Sequence, residues 1–306
     1  MDVSIVIPVY NEENNVEMLH SQIKGVMRKY DHEIIFVDDG STDKTFDKLN
    51  AIDDNCLTII KLRKNFGQTA ALSAGFKEAK GKIIVQMDGD LQNDPQDIPK
   101  LIGNINGYDV VSGWRHKRQD SLTKRLFSKI ANKFRIILLK ELIQDSGCSM
   151  RAYKRECFED IDLYGDMHRF IPSLLSWKGF RITEIKVNHF GRKYGETKYG
   201  SGRLFRGLLD LLTILFWKKY SNRPLHIFGG VGIALTIFGL MSGLYAAYLK
   251  IFRHVDLSNT FLPVISIFLV IIGIQFFVSG LLADIAIKTY YNKDRKTYSV
   301  ERVVKK

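Results

Sequence analysis

The sequence predicts an α/β domain on a mostly parallel β-sheet, followed by two helices long enough to cross a membrane. Three observations carry this. Over residues 1–110, short β-branched apolar runs alternate with amphipathic stretches of helical period, the pattern of a sheet covered by helices on both faces. Several of those runs end in polar clusters, which puts functional groups along one sheet edge. Residues 227–249 and 261–283 are two runs of 23 without Asp, Glu, Lys or Arg.

Each element follows from its residues. Val3–Val9 reads as a buried strand and residues 14–30 as a helix. Residues 33–37 form a second strand, and 43–53 a helix opened by a Ser-Thr-Asp cap cluster. Residues 57–62 give a third strand, 68–79 a helix, and 83–87 a fourth strand. A helix over 96–105 follows Pro95, and 109–113 makes a fifth strand. From 113 to 141, nine Lys/Arg face two acidic residues while Leu122, Leu126, Phe127, Ile130 and Phe134 recur at helical spacing. That basic amphipathic pattern suits a membrane interface and equally an ordinary surface helix. A second such stretch, 203–219, runs almost directly into the first apolar run, which favours the interfacial reading for both.

At 1.5 Å per residue each 23-residue run reaches about 34 Å, enough for a hydrocarbon core of roughly 30 Å. Two buried core helices are the competing reading. Gly229, Gly230, Gly232, Gly239 and Gly243 would allow close helix contact, within the chain or in a homo-oligomer. Basic residues flank the outer ends of the pair (Arg203, Arg206, Lys218, Lys219, Arg223; then Lys288, Lys293, Arg295, Lys296, Arg302, Lys305, Lys306), against Lys250 and Arg253 between them. The positive-inside rule then places the α/β part and both termini in the cytoplasm of a two-span membrane protein. The expected organisation is a domain over 1–222 with interfacial helices near 120–141 and 203–219, a transmembrane region over 223–288, and a basic tail over 289–306.

Composition narrows the class further. The 306 residues carry a net charge of +12 and are 45% hydrophobic, which excludes disorder, collagen and a disulfide scaffold. Cys56, Cys148 and Cys157 show no metal or C-x-x-C spacing and read as free thiols of a reducing compartment. The N-terminus runs straight into a strand, so no signal peptide is expected. The basic residues cluster beside apolar helices, which favours a membrane surface over nucleic acid.

The strand ends hold the chemistry. After the first strand comes Tyr10-Asn11-Glu12-Glu13, which is not a G-x-G-x-x-G dinucleotide loop. After the second comes Asp38-Asp39-Gly40-Ser41, which alone could be a turn and a helix cap. After the fourth comes Asp88-Gly89-Asp90-Leu91-Gln92. Carboxylates at i and i+2 of an extended segment point to one side and repel unless a cation sits between them. Hard oxygen ligands suit Mg²⁺ or Mn²⁺ shared with a diphosphate, and Gln92 could add an amide oxygen.

These motifs carry a resemblance. Residues 3–12 (V-S-I-V-I-P-V-Y-N-E), 37–42 (V-D-D-G-S-T), 65–71 (N-F-G-Q-T-A-A) and 86–95 (Q-M-D-G-D-L-Q-N-D-P) resemble inverting family 2 glycosyltransferases of GT-A fold. Residues 145–151 (D-S-G-C-S-M-R) and 195–199 (G-E-T-K-Y) are similar to the polyprenyl-phosphate branch, the dolichol-phosphate mannosyltransferases and bactoprenol glucosyltransferases. No Arg-Trp dipeptide occurs, so the Q-x-x-R-W motif of processive synthases is missing.

The resemblance implies transfer of a sugar from a nucleotide diphosphate sugar, of UDP-glucose or GDP-mannose type, to a polyprenyl phosphate such as undecaprenyl phosphate. By position, Pro8, Tyr10, Glu12 and Asp39 would hold the base and ribose, with Asp38 and Asp88 nearby. Asp88, Asp90 and Gln92 would hold Mg²⁺ or Mn²⁺. Arg118, Arg135, Arg192 and Lys198 would meet the lipid phosphate and diphosphate, Arg118 and Arg135 competing with a lipid-facing role. Asp90, Arg192 and Asp145 would form the catalytic set, Asp145 shaping the acceptor site. Two other readings stay open: a glycolipid synthase with a hydroxyl acceptor and Asp145 or Asp166 as base, and a non-catalytic nucleotide-binding membrane subunit. The sugar is not legible.

Overall fold

The computed structural model describes residues 1–115, 143–145, 147–159, 161, 163, 167–191 and 223–291. The chain divides into an α/β unit and a helical unit, the latter spanning residues 201–297.

The α/β unit holds a seven-stranded sheet. Its strands are β1 (Val3–Val9), β2 (His32–Asp38), β3 (Leu57–Lys61), β4 (Ile83–Gln86), β5 (Val110–Arg115), β6 (Arg151–Lys154) and β7 (Ile182–Val187), in the order β3-β2-β1-β4-β6-β5-β7. All pairings are parallel except those of β6, which runs antiparallel to both β4 and β5. The first five strands match the sequence expectation to within two residues at each end. β6 and β7 were not foreseen: R-A-Y-K is short and charged at both ends, and I-T-E-I-K-V alternates polar and apolar residues instead of forming an apolar run.

Alternation along β1 sends Val3, Ile5, Ile7 and Val9 to one core and Val6 to the other. The first core receives α1 (Val16–Met27), whose Val16, Leu19, Ile23 and Met27 recur every three or four residues. Each large side chain buried this way contributes about 1.5–3 kcal/mol of transfer free energy. It also receives Leu49 of α2 (Thr45–Asn50) and the short helix α4 (Ile98–Gly103). The second core receives α3 (Gln68–Glu78) and α5 (Ile171–Trp177). Gly75 lets α3 approach β1, since a Cβ there would lie 3.1 Å from the Val37 methyl and closer still to Val6. The helices α1 and α2 are shorter than expected because Asn15 and Asp43 serve in turns that precede them.

The helical unit is an antiparallel hairpin of α6 (Pro224–Phe252) and α7 (Leu262–Tyr291), joined by a short turn at Leu257–Asn259. Both are long and apolar enough to cross a membrane, with mean hydropathy 1.9 and 2.5. Glycines let their backbones meet. A Cβ on Gly232 would lie 2.6 Å from the Gly273 carbonyl, and one on Gly239 2.8 Å from the Ser266 carbonyl. The Ser266 hydroxyl donates to Leu262 O (2.7 Å) and lies 2.9 Å from Ser242 Oγ, whose proton it can accept, and Thr236 Oγ1 donates to Gly232 O (2.9 Å). Gly232 and Gly239, expected to serve a helix contact, thus serve one within the chain. Gly230 has open space around it.

Candidate active site

The carboxyl ends of β1, β2 and β4 bring together the acidic clusters expected from the sequence. Beyond β1 the chain turns at Asn11, whose φ of 54° is left-handed. The strain is offset by hydrogen bonds to the loop after β2. Asn11 accepts from Thr42 N–H (2.8 Å) and its own N–H donates to Ser41 Oγ (2.9 Å), while Glu12 N–H donates to Thr45 Oγ1 (2.9 Å). Glu12 Oε2 accepts from the Asn15 amide at 2.5 Å. Pro8 is buried within β1, opposite Val37, so it shapes the sheet edge with its backbone and not with an exposed ring.

Asp38 and Asp39 close β2 and are both buried. Asp38 Oδ1 accepts from Ser41 N–H (2.9 Å), while its buried Oδ2 meets no donor among the described residues. Gly40 follows with φ 69°, and a Cβ there would lie 2.7 Å from both Lys64 Cα and Asn65 N. Only glycine fits this crossing of two backbones. Asp39 spends both oxygens on the next loop, accepting from Phe66 N–H (2.8 Å) and Gly67 N–H (2.9 Å). Burial, with a smaller part from Asp38, raises its carboxyl above the ordinary range, against the two amides that pull it down. The next residue, Gln68, opens α3 and donates its amide to Asp88 Oδ1 (2.8 Å). Residues 66–68 therefore tie the end of β2 to the end of β4 across β1.

The Asp88-Gly89-Asp90 turn lies against β1, and a Cβ on Gly89 would come within 2.6 Å of Val9 Cγ1. Burial, then the neighbouring Asp90 charge, pushes the Asp88 carboxyl up to about 6, against the Ser149 hydroxyl and the Arg115 and Arg151 charges. Asp90 is buried and its Oδ1 accepts from Gln92 N–H (3.2 Å). The Gln92 side chain donates to the Phe190 carbonyl (3.3 Å), and Phe190 N–H returns to Gln92 O (2.9 Å), so Gln92 docks the segment after β7. Among the described residues no three His, Cys, Asp or Glu form a metal-holding group. The acidic pair is two carboxylates, the kind of sparse donor set that leaves positions for substrate oxygens.

Several residues of this edge escaped sequence reasoning. Because β6 runs backward, its first residue Arg151 pairs with Gln86 and Ser112 at the same edge. The Arg151 side chain is fully buried and donates to the His168 carbonyl (3.1 Å), and His168 Nδ1 lies 2.7 Å from Thr69 Oγ1 on α3. Asn93 donates to Ser149 Oγ (3.0 Å). Arg115 ends β5 and makes a bidentate pair with Asp145, Nε to Oδ2 and Nη2 to Oδ1, both 2.8 Å. Glu184 of β7 braces that pair by accepting from the backbone N–H of Gln144 (2.7 Å) and Asp145 (3.0 Å). Gln68, Ser149 and Arg151 stood inside quoted motifs, but nothing in their spacing says that they face Asp88.

The structure thus gathers Pro8, Tyr10, Glu12, Asp38, Asp39, Asp88, Asp90 and Gln92 on the ends of β1, β2 and β4, and Asp145 beside Arg115. Arg118, Arg135, Arg192 and Lys198 lie outside the described residues, as do Asp166 and the amphipathic stretches 120–141 and 203–219. The cysteines form no disulfide, and burial pushes the Cys148 thiol up to about 11 and the Cys157 thiol up to about 12, so both are inert thiols at neutral pH.

Known proteins share this architecture. The chain is 36% identical over 314 aligned residues to a dodecaprenyl-phosphate galacturonate synthase of Rhizobium johnstonii, covering 99% of this chain and 93% of the relative. It is 34% identical over 310 residues to an undecaprenyl-phosphate 4-deoxy-4-formamido-L-arabinose transferase of Proteus mirabilis, covering 99% and 94%. Among solved structures, glucosyl-3-phosphoglycerate synthase from Mycobacterium tuberculosis, in complex with Mn²⁺, uridine diphosphate and phosphoglyceric acid, superposes with a TM-score of 0.56 at 19% identity. That match covers 71% of this chain and 78% of the other and shows the fold, the GT-A fold expected from the motifs. Residues 4–162 match the family model described as glycosyl transferase family 2. With a sheet whose acidic strand ends converge as the motifs required, and with full-length relatives above 30% identity, this chain belongs to glycosyl transferase family 2.

Proposed function

We propose that the protein transfers a sugar from a nucleotide diphosphate sugar to a polyprenyl phosphate, inverting the anomeric carbon, at a membrane that its helical hairpin spans. The observation that carries this is the Asp88–Asp90 pair, two carboxylates held side by side at a strand end, where burial and the Asp90 charge raise the Asp88 carboxyl. Carboxylates so placed fit a divalent cation, Mg²⁺ or Mn²⁺, which when bound neutralises charge on the departing diphosphate. The galacturonate and formamido-arabinose relatives, which align over 99% of this chain, support a lipid-phosphate acceptor.

In this reading the acceptor needs no base. A phosphate monoester, with a second pKa near 6, is largely a dianion at neutral pH. Its oxygen forms the new bond to the anomeric carbon as the carbon–oxygen bond to the diphosphate breaks, the electron pair leaving with the nucleotide. Asp145, with both oxygens on Arg115, is then a positioning residue, which counts against the hydroxyl-acceptor reading that would draft it as a base. Asp38 Oδ2 offers a buried acceptor to a donor on the nucleotide. Pro8, Tyr10, Glu12 and Asp39 are assigned to the base and ribose, and Arg192, Lys198, Arg118 and Arg135 to the phosphates. The domain limits 1–222, 223–288 and 289–306, and the cytoplasmic side for the catalytic part and both termini, belong to the same proposal.

The test is transfer by the purified full chain in detergent. Undecaprenyl phosphate is offered nucleotide sugars carrying glucose, mannose, galacturonate or 4-deoxy-4-formamido-L-arabinose, with Mg²⁺ or Mn²⁺, and the lipid product is read by mass. One of these donors is expected to give a lipid monophosphate sugar, lost with EDTA. Transfer to diacylglycerol in preference to undecaprenyl phosphate would overturn the acceptor assignment.

A further inference from the structure

The helical hairpin has a polar residue that its own packing does not use. Gln275 sits at the middle of the apolar span Leu262–Ile287, its side chain exposed and without a hydrogen bond among the described residues. The side chains of Thr236, Ser242, Ser266 and Thr289 make their hydrogen bonds inside the hairpin. An amide facing hydrocarbon costs free energy until it finds a partner.

The position of Gln275 on α7 says what the partner is. The face of α7 that meets α6 is marked by Ser266, Val270, Gly273, Phe277 and Gly280. At about 100° per residue, Gln275 lies about 200° from Gly273, on the opposite face. Along that opposite face Phe268, Gln275 and Leu282 recur every seven residues, interleaved three residues later by Ile271, Val278 and Ile285. All six are exposed. This is a heptad seam of about 26 Å with one amide at its centre. An amide carries both donor and acceptor, so it is complementary to its own copy. Two parallel copies related by an axis along the membrane normal place their Gln275 side chains at equal depth, where one amide can donate to the other.

We propose that α7 is a self-association surface, on which a second copy of this chain packs along the Phe268–Ile285 seam with the Gln275 amides hydrogen-bonded across it. The proposal rests on the reading of α7 as a membrane span. It assigns the helix contact with another copy to α7, whereas Gly232 and Gly239 of α6 are used within the chain.

Single cysteines at each position from 268 to 285, in a full-length chain with Cys56 replaced by Ser, are oxidised in native membranes and scored for covalent dimers. Cross-linking is expected to peak at 268, 271, 278, 282 and 285 and to be lowest at 270, 273 and 277. In parallel, association of the full chain in lipid vesicles is followed by energy transfer between labelled copies on dilution with lipid. Gln275→Leu is expected to weaken association about five- to thirtyfold, the worth of one interhelical hydrogen bond in a membrane, and Gln275→Asn to retain most of it. Cross-links without that periodicity, or equal association of wild type and Gln275→Leu, overturn the proposal. Alkaline carbonate separates the two readings. A chain released from membranes refutes the span itself, whereas a chain retained but lacking the seam pattern refutes only the self-association.

Discussion

The pair of Arg115 and Asp145 makes a quantitative prediction. Three contacts join them, two side-chain bonds at 2.8 Å and the Arg115 N–H to Oδ2 at 3.2 Å, with the side chains only 13% and 8% exposed. Removing one member of a buried pair costs about 3–5 kcal/mol, because the survivor keeps its charge without its counterion. Some solvent reaches the guanidinium, so Asp145→Asn should fall at the lower end, about 3 kcal/mol. For a unit of roughly 200 residues that is a drop in Tm of about 6–12 °C. Melting of the full chain in detergent can be followed by tryptophan fluorescence, since Trp114 and Trp177 both lie in the α/β unit. Arg115→Met should cost a similar amount, and the double variant Arg115→Met/Asp145→Leu at least about 2 kcal/mol less than the sum. Strict additivity, or an Asp145→Asn melt within about 2 °C of wild type, would refute the argument that the two charges stabilise each other.

Other predictions test other parts of the molecule. Asp90→Ala should abolish sugar transfer while leaving the circular dichroism unchanged, and should remove the rise in Tm on adding Mn²⁺, about 2.7 kcal/mol at a hundredfold excess over Kd. Gly40→Ala should destabilise by about 2 kcal/mol or more, from a left-handed Ala and a clash with the Lys64–Asn65 backbone, read as a lower Tm. Burial raises the Asp109 carboxyl but the Lys154 bond at 2.7 Å and the Arg181 amide overcome it, so its folded value lies below the ordinary 3.8. Its stabilisation is present above that value and lost as pH falls through the folded one. Denaturation of Lys154→Met should therefore show a smaller loss of stability on acidification below about pH 3.8 than wild type.

The legible part of the fold was the part whose strands bury both faces. I-V-I-P-V and I-I-F-V are continuous apolar runs because neighbours cover them above and below, and such runs announce themselves. The β6 strand buries Ala152 and Tyr153 together with the charged Arg151, and four residues with a charge at each end leave no pattern to find. The carboxylates were legible for the same reason as the strands: they stand where apolar runs stop. Their partners were not. Gln68 meets Asp88 because α3 starts beside it, and Arg151 reaches the edge only because its strand is reversed, and both are facts of topology. The candidate phosphate-binding Arg118, Arg135 and Arg192 rest on the resemblance alone.

The short link from Asp39 through Phe66 and Gly67 to Gln68 and Asp88 has a thermodynamic consequence. It joins strand ends that are separated by β1 with two backbone bonds and one side-chain bond, each 2.8–2.9 Å. A perturbation of either carboxylate is therefore transmitted to the other through the first residues of α3. Substitutions at Asp39 and Asp88 should be non-additive through that link. The free energy of occupying one strand end would then depend on what occupies the other. A donor with its nucleoside at one strand end and its diphosphate at the other would be sensed as a whole, and either fragment alone would hold less than its share.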